Sequence, residues 1–416
     1  MDRTAGLEVR DYRADDLPAV TRIWREVGWI DESERKTAAL ERFLGYGTAL
    51  VGVVDGEAEC LVHSTPGTIR YDTDDLSLCA ITAVATSAVA RNLGLAGRLT
   101  AEVIARGAAE GAAVAALGMF EQGFYDRLGM GTLGYVHQLT FDPAKLRVAP
   151  PARRPARISR DDWGEVAALM GRRARAHGAV TLSPPTALDA ELSWVDDPFF
   201  ALGFRADDAV DGDGRLTACL VGTMTGENGP LKVELLGYER GDDLLDLLGL
   251  LRSLSAQIHV VMVVEPAGVQ LQDLLDRPIR GVDLLDAERK PGHEAMAWYQ
   301  ARIVDLPTCV SARHWPGDEV RFNLTLTDPL GDARGAGPGL QGDHTITIGE
   351  TSHAEPGHRG DLPVLHASVS AFSRLWFGVR PASGLAITDD LRGSADLLSA
   401  LDRALLLPPP TPGISF

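Results

Sequence analysis

The sequence predicts an α+β chain of three mixed α/β units, the first two built on a similar order of elements. Its 416 residues exceed what one hydrophobic core usually serves. A strand, a turn and an apolar helix follow one another twice, over residues 76–109 and again over residues 232–254. Between Leu146 and Pro155 the run RVAPPARRP has no apolar period and reads as a linker, and near Asp305 the composition shifts again. The expected units are residues 1–148, 149–300 and 301–416.

In the first unit, Leu17 to Val27 has helical periodicity behind the acidic Asp15-Asp16, and Thr48 to Val54 reads as a strand. Thr65-Pro66-Gly67 is a turn signal that divides Ala58–His63 from Gly67–Asp72. Leu76 to Thr86 is then a strand, Leu95 to Ala109 a helix, Ala112 to Leu117 a strand and Glu121 to Leu128 a short helix, with Tyr135 to Phe141 closing the unit.

The second unit repeats that order. Trp163 to Ala174 reads as a helix, Phe200–Arg205, Leu216–Thr223 and Lys232–Tyr238 as strands, Asp242–Leu254 as a helix and Ile258–Val264 as a strand, which points to an internal duplication. In the third, Val320–Thr327, His344–Gly349 and Leu365–Val369 read as strands, and Ala371–Phe377 and Ser394–Leu406 as helices. Gly331 to Gly342 reads as a hairpin connection rather than a nucleotide loop, because Gly335-Ala-Gly337-Pro-Gly339 contains proline and leads into no helix.

Charge narrows the partners. Lys and Arg total 40 against 58 Asp and Glu, a net charge of −18, so the summed field repels nucleic acid and anionic lipid and favours cations. The four cysteines, Cys60, Cys79, Cys219 and Cys309, are too widely spaced for a metal knuckle or a disulfide framework and read as buried thiols in a reducing compartment. No apolar run follows Met1-Asp2-Arg3-Thr4, and Leu244–Val264 is broken by Asp246 and Arg252, so neither a leader nor a membrane span is expected and the location expected is cytoplasmic.

The stretch that carries chemistry is Ile81 to Gly97, ITAVATSAVARNLGLAG. A strand that breaks into a glycine turn and then a helix leaves backbone N–H groups without partners, and glycine lets an anion approach them. The spacing Arg91-x-x-Gly94-x-Ala96 is neither the Walker pattern nor the dinucleotide Gly-x-Gly-x-x-Gly. In the second unit the corresponding segment is Tyr238-Glu-Arg-Gly-Asp242-Asp243, whose carboxylates occupy the place an anion would take, so that copy is expected to hold no cofactor. The tail, Leu407-Pro-Pro-Pro-Thr-Pro-Gly-Ile-Ser-Phe416, is stiffened by proline and ends in an aromatic ring, a segment suited to docking.

Three patterns together, Val84-x-Thr86-x-Ala88-x-x-Arg91-x-x-Gly94-x-Ala96, then Glu121-Gln-Gly123-Phe-Tyr125-Asp-Arg127-Leu-Gly129-Met130-Gly131, then the terminal Phe416, resemble the Eis-like (enhanced intracellular survival) GNAT N-acetyltransferases over nearly the whole chain. The resemblance implies two GNAT-like domains, the second without cofactor, followed by a sterol-carrier-protein-like domain, to which Ala367–Phe377 and Leu401–Leu405 are similar. It also implies a homo-hexamer that uses acetyl-CoA as cosubstrate, without a metal, to acetylate primary amines of a cationic small molecule such as an aminoglycoside, of a polyamine or of a lysine side chain. In those terms Val84 and Thr86 face the pantetheine arm, and Arg91, Asn92, Gly94, Leu95, Ala96 and Gly97 surround the pyrophosphate. Tyr125 matches the general acid and the carboxylate of Phe416 the general base. The chain departs from the family at Ala88, where proline is common, at Asn92-Leu93, where arginines are common, at Phe120, where serine is common, and in its Gly-Ile-Ser-Phe end.

No serine triad, zinc spacing or HExxH motif is present, and His293-Glu294 lacks a second histidine at helical spacing. Asn323-Leu-Thr325 fits a glycosylation acceptor but falls within an expected strand. Trp24, Trp29 and Phe43, with Asp31 or Glu32, are candidates to line an amine pocket or simply to pack the core. A reading from another class is a carrier of an apolar ligand in the third unit with a vestigial transferase domain.

Overall fold

The computed structural model describes residues 6–206, 214–276, 292–331 and 340–415. Up to residue 141 the strands are β1 (Leu7–Asp11), β2 (Thr48–Val54), β3 (Glu57–Tyr71), β4 (Asp74–Thr86), β5 (Val114–Gly118), β6 (Gly131–Thr132) and β7 (Val136–Phe141), with helices α1 (Leu17–Glu26), α2 (Glu34–Leu44) and α3 (Leu95–Ala109). Residues 142–303 add β8 (Ala156–Arg157), β9 (Val180–Leu182), β10 (Phe199–Arg205), β11 (Leu216–Met224), β12 (Leu231–Tyr238), β13 (Val261–Val264), β14 (Gly292–Met296) and β15 (Tyr299–Ile303), with α4 (Trp163–Arg172), α5 (Ala187–Trp194) and α6 (Gly241–Ser253). The remainder contributes α7 (Leu306–Ser311), strands β16 (Val320–Thr327), β17 (Gly342–Ile348), β18 (His353–Pro356), β19 (Val364–Ser368) and β20 (Leu391–Arg392), and helices α8 (Val369–Trp376), α9 (Ala382–Thr388) and α10 (Ala395–Ala404).

These strands form three sheets, and the first two exchange strands. The first has the order β1-β2-β3-β4-β5-β15-β6 and the second β8-β10-β11-β12-β13-β7-β14, so each reads as the other's echo. The strand expected to close the first unit, β7, instead pairs antiparallel with β13, from Val261↔Phe141 to Val264↔Gln138. Its place beside β5 is taken by β15, from Tyr299↔Gly118 to Ile303↔Val114. Both strands are short and mix apolar with polar residues, VHQLTF and YQARI, and neither carries a local feature that names its partner. The third sheet, β18-β17-β16-β19-β20, stands apart.

A second departure lies at Pro66. The turn expected there is absent, and β3 runs through it as one strand of 15 residues with a register shift between His63 and Ser64. Proline survives because Pro66 needs no donor: its carbonyl accepts from Ser183 N–H at 2.8 Å, and Gly67 follows where a Cβ would lie 2.4 Å from Thr181 O. The short helix expected over Glu121–Leu128 is reduced to a 3₁₀ turn, Tyr125–Leu128.

One core joins the first sheet to the third unit. Ile69, Tyr71, Leu76 and Leu78 share a buried cluster with Phe322, Phe372, Trp376 and Phe377. Tyr71 stacks on Trp376 with ring centres 3.5 Å apart and donates its hydroxyl to Trp376 O at 3.0 Å. The third unit's buried side chains thus pack against those of the first sheet. Asn323 is 2% exposed and its amide is hydrogen-bonded to the Arg359 and Leu362 carbonyls, which removes it as a glycosylation acceptor. The Gly331–Gly342 connection lies largely outside the described residues. The four cysteines are free and buried.

Candidate active site

The site begins where β4 loses a neighbour. β4 and β5 pair in parallel only from Leu78↔Val114 to Ile81↔Leu117. From there β4 continues to Thr86 against β3 alone, so alternate backbone N–H and C=O groups on its other edge face a gap. Val84 stands in this stretch and Thr86 ends it, its hydroxyl 3.2 Å from Cys60 Sγ.

The chain then turns into α3 through two left-handed residues, Asn92 at φ +65° and Gly94 at φ +76°. Asn and Gly are the residues that tolerate this region. The first helical bond runs from Arg98 N–H to Gly94 O at 3.1 Å, which leaves Leu95, Ala96 and Gly97 with N–H groups that have no intrahelical acceptor. A methyl group placed on Gly94 or Gly97 would meet nothing within 4 Å. Arg91, Asn92 and Gly94 are exposed, whereas the Leu95 side chain is 2% exposed and so has only its backbone to offer a ligand. An open, positively polarised helix start beside an exposed arginine suits a diphosphate.

Tyr125 is 1% exposed, with Phe124 and Phe120 edge-on to it at centroid distances of 4.9 and 6.0 Å. Burial pushes its phenol well above the usual value near 10, so it stays protonated at neutral pH and serves as a donor. Tyr125 and Val84 both line a cavity of about 710 Å³ that all three parts of the chain enclose. The first unit contributes Ile81–Val84, Leu117–Phe120 and Trp29; the second contributes Arg173–Ala176, Lys232–Glu234 and Met262–Ala267; the tail contributes Thr411–Ser415.

The tail is docked along its described length. Thr411 N–H donates to His177 O at 2.9 Å, Pro412 O accepts from Val180 N–H at 2.8 Å, and Ile414 O accepts from the Tyr299 hydroxyl at 3.0 Å. Gly178 allows this approach, since a Cβ there would lie 2.5 Å from Thr411 N. Phe416, the expected base, lies outside the described residues.

Of the aromatic and acidic candidates around the first helix, only Trp29 reaches the cavity. Trp24 and Phe43 are core residues, and Asp31 turns to Lys36 at 3.3 Å. The reading from the residues missed the contribution of the second unit. Arg173, Arg175, Lys232 and Glu234 carry no motif, and tertiary packing alone brings them to the first unit's site.

A metal-compatible group also lies beside the cavity. Donor atoms of His137, Glu265 and His293 come within 4.8 Å of one another. Two nitrogens and a carboxylate form a donor set suited to zinc. The 2.9 Å contact between His137 Nδ1 and His293 Nε2 is equally what a hydrogen bond between two neutral rings produces.

At the start of α6 the duplicated turn supplies its own carboxylate. Asp243, 2% exposed, accepts from Arg240 N–H at 3.1 Å, from the Thr217 hydroxyl at 3.1 Å and from Arg153 Nη2 at 2.7 Å. Arg153 comes from the Pro/Arg-rich linker, which therefore packs rather than hangs free.

An open helix start after a strand with an uncovered edge is the construction of a GNAT domain, and a family model for the acetyltransferase (GNAT) domain matches residues 8–133. A second model, for a sterol carrier protein domain, matches residues 306–415. The chain has the Eis-like architecture, a GNAT acetyltransferase domain at its start and a sterol carrier protein domain at its end. Its fold is shared over its full length by solved structures of low identity. A probable N-acyltransferase from Enterococcus faecalis V583 superposes with a TM-score of 0.81 at 19% identity, covering 99% of each chain. A GCN5-related N-acetyltransferase from Kribbella flavida gives 0.77 at 19% identity over 99% of this chain and 98% of its own. Eis1 from Mycobacterium abscessus gives 0.73 at 17% identity over 99% of this chain and 100% of its own. A search of curated protein sequences finds no match.

Proposed function

We propose that this protein transfers an acetyl group from acetyl-CoA to a primary amine bound in the cavity. The observation that carries this reading is the open start of α3, with space above Gly94 and Gly97, adjoining the uncovered edge of β4. Acetyl-CoA supplies an acyl group activated as a thioester. Arg91, Asn92, Gly94, Ala96 and Gly97, with the Leu95 N–H, hold its diphosphate, and the edge at Val84 and Thr86 holds the pantetheine arm. A backbone N–H of that edge meets the thioester oxygen where charge develops.

The amine nitrogen attacks the thioester carbon, the C–N bond forms and the C–S bond breaks. Tyr125 donates its hydroxyl proton to the departing sulfur. Between unperturbed groups, a phenol near 10 and a thiol near 8.5, that transfer is uphill by about 2 kcal/mol; burial of the Tyr125 phenol adds to this, so the hydroxyl acts first as a hydrogen-bond donor and passes its proton only as the sulfur leaves. The amine attacks in its neutral form, and the proton its nitrogen sheds after attack goes to the chain's terminal carboxylate, from which solvent returns one to Tyr125. Direct transfer from a free amine near 10 to a carboxylate near 3.5 would cost about 9 kcal/mol, so the proton leaves through water as attack makes the nitrogen acidic. Docking of the tail as far as Ser415, in the cavity wall, supports this role for the α-carboxylate of Phe416.

Cationic acceptors, namely an aminoglycoside, a polyamine or a lysine side chain, are the starting panel, and a hexamer in the cytoplasm is the expected state. Tyr125→Phe is expected to lower kcat about tenfold to a hundredfold with the KM for acetyl-CoA unchanged. Thiol release measured with acetyl-CoA and an amine checks this. A raised acetyl-CoA KM at unchanged kcat would make Tyr125 a positioning residue.

A further inference from the structure

The net charge of the chain and the wall of the cavity point to different acceptors. The chain as a whole carries −18, yet the described charged residues of the wall are three cations, Arg173, Arg175 and Lys232, and two carboxylates, Glu234 and Glu265. Each already has a partner. Arg173 donates to the carbonyls of Met170 and Val180 at 2.6 and 2.5 Å, Arg175 pairs with Asp75 at 2.9 Å and Lys232 with Glu234 at 2.8 Å. Glu265 accepts from Leu271 N–H at 2.9 Å. Glu265 is therefore the one described wall carboxylate without a Lys or Arg partner, which suits a single ammonium, and a second or third charge taken from water without a partner is strongly disfavoured.

The apolar wall is unusual in the opposite sense. Trp29, Phe120 and Trp298 are the Trp and Phe side chains exposed among the described residues, and all three line this cavity. Phe120 is 73% exposed and stands edge-on to Tyr125 at 6.0 Å, beside the group that meets the sulfur. Rings kept in water at the mouth of a cavity gain most from a flat apolar body laid against them, and their faces also attract one cation.

We propose that the acceptor is an arylalkylamine, one primary amine on a planar apolar body, rather than a polycation. This rests on the acetyltransferase reading and narrows it. Phe120 and Trp298 hold the ring, and the amine extends past Phe120 toward Val84 and Tyr125.

The test uses the full chain with acetyl-CoA, thiol release as the readout, and four acceptors: tryptamine, phenethylamine, spermine and kanamycin. The expected result is a kcat/KM for tryptamine at least about tenfold above that for spermine. Phe120→Ala, at an exposed position that cannot open the core, should raise the tryptamine KM severalfold without moving the acetyl-CoA KM, and Trp298→Ala should do the same. Preference for spermine or kanamycin overturns the proposal and leaves amine acetylation standing, as does an unchanged tryptamine KM in both variants. No thiol release with any of the four amines, when equilibrium dialysis shows acetyl-CoA bound, overturns the proposal and the acetyltransferase reading together.

Discussion

The starts of α3 and α6 are the same turn solved twice. Both helices follow a strand, β4 or β12, that pairs in parallel with the next one, from Leu78↔Val114 in the first unit and from Leu231↔Val261 in the second. At α3 the entry residue is Gly94, exposed and without a side chain, and the N–H groups face open space. At α6 the space at Gly241 is also open, but the first turn carries its own carboxylate: Asp243, at the position Gly97 holds in α3, is buried, accepts from the N–H of Arg240 before the helix and is held by Arg153 and Thr217. The difference teaches that a helix dipole is a site only when its own chain leaves it unsatisfied. The second unit gave its positive end to a structural carboxylate and kept the fold.

That comparison can be broken in four ways. Asp243→Ala should have the largest effect, because it removes the acceptor of the Arg240 N–H and the Thr217 hydroxyl and leaves Arg153 with Asp246 alone of its two carboxylates: a loss of about 3 to 4 kcal/mol in stability, read by denaturant melts, with no gain of acetyl-CoA binding. Recovery of a second cofactor site in this variant would show that the carboxylate, and not the wider geometry, closed the copy.

The next largest effect concerns acid. His63, 0% exposed on β3, has its pKa lowered to about 4 by burial, with its ring held between Thr82 Oγ1 at 2.8 Å and Tyr46 O at 2.6 Å. The folded chain keeps the ring neutral while the unfolded chain protonates it near pH 6.5. The contribution is therefore complete above pH 6.5 and is lost as pH falls toward 4, about 3 kcal/mol in all. His63→Gln should flatten the pH dependence of stability in that window, and an unchanged slope in matched melts would remove the ring as its cause.

Gly97→Asp copies the second unit's solution into the first. It should weaken acetyl-CoA binding about a hundredfold by calorimetry while the fold persists, since the side chain enters open space. Undiminished binding would move the diphosphate away from this helix. The smallest effect is Gly94→Ala: left-handed backbone at φ +76° costs a residue with a Cβ about 1 kcal/mol, a modest shift in the melting midpoint.

Several features were legible because they are local. The Asn92 and Gly94 positions, the helix from Leu95 and the acidic start of α6 all follow from residues adjacent in the chain. The docking of the proline tail was legible too, since a stiff segment loses little entropy on binding. Pro66 misled because its turn propensity competes with β9, a partner more than a hundred residues away that pairs from Gly67 onward. Trp29 looked the same as Trp24 in the sequence, and only packing made one a wall of the cavity and the other core.

By itself the sequence determined the three-unit order, the duplicated strand–turn–helix and the contrast between a glycine and an aspartate at the helix start, because backbone conformation and dipole chemistry are decided within a few residues. Only the tertiary structure decided that β7 and β15 trade sheets, and that the second unit and the tail wall the first unit's cavity. Strand partners and cavity walls depend on which apolar faces meet across the whole chain, and short strands of similar pattern do not encode that choice locally.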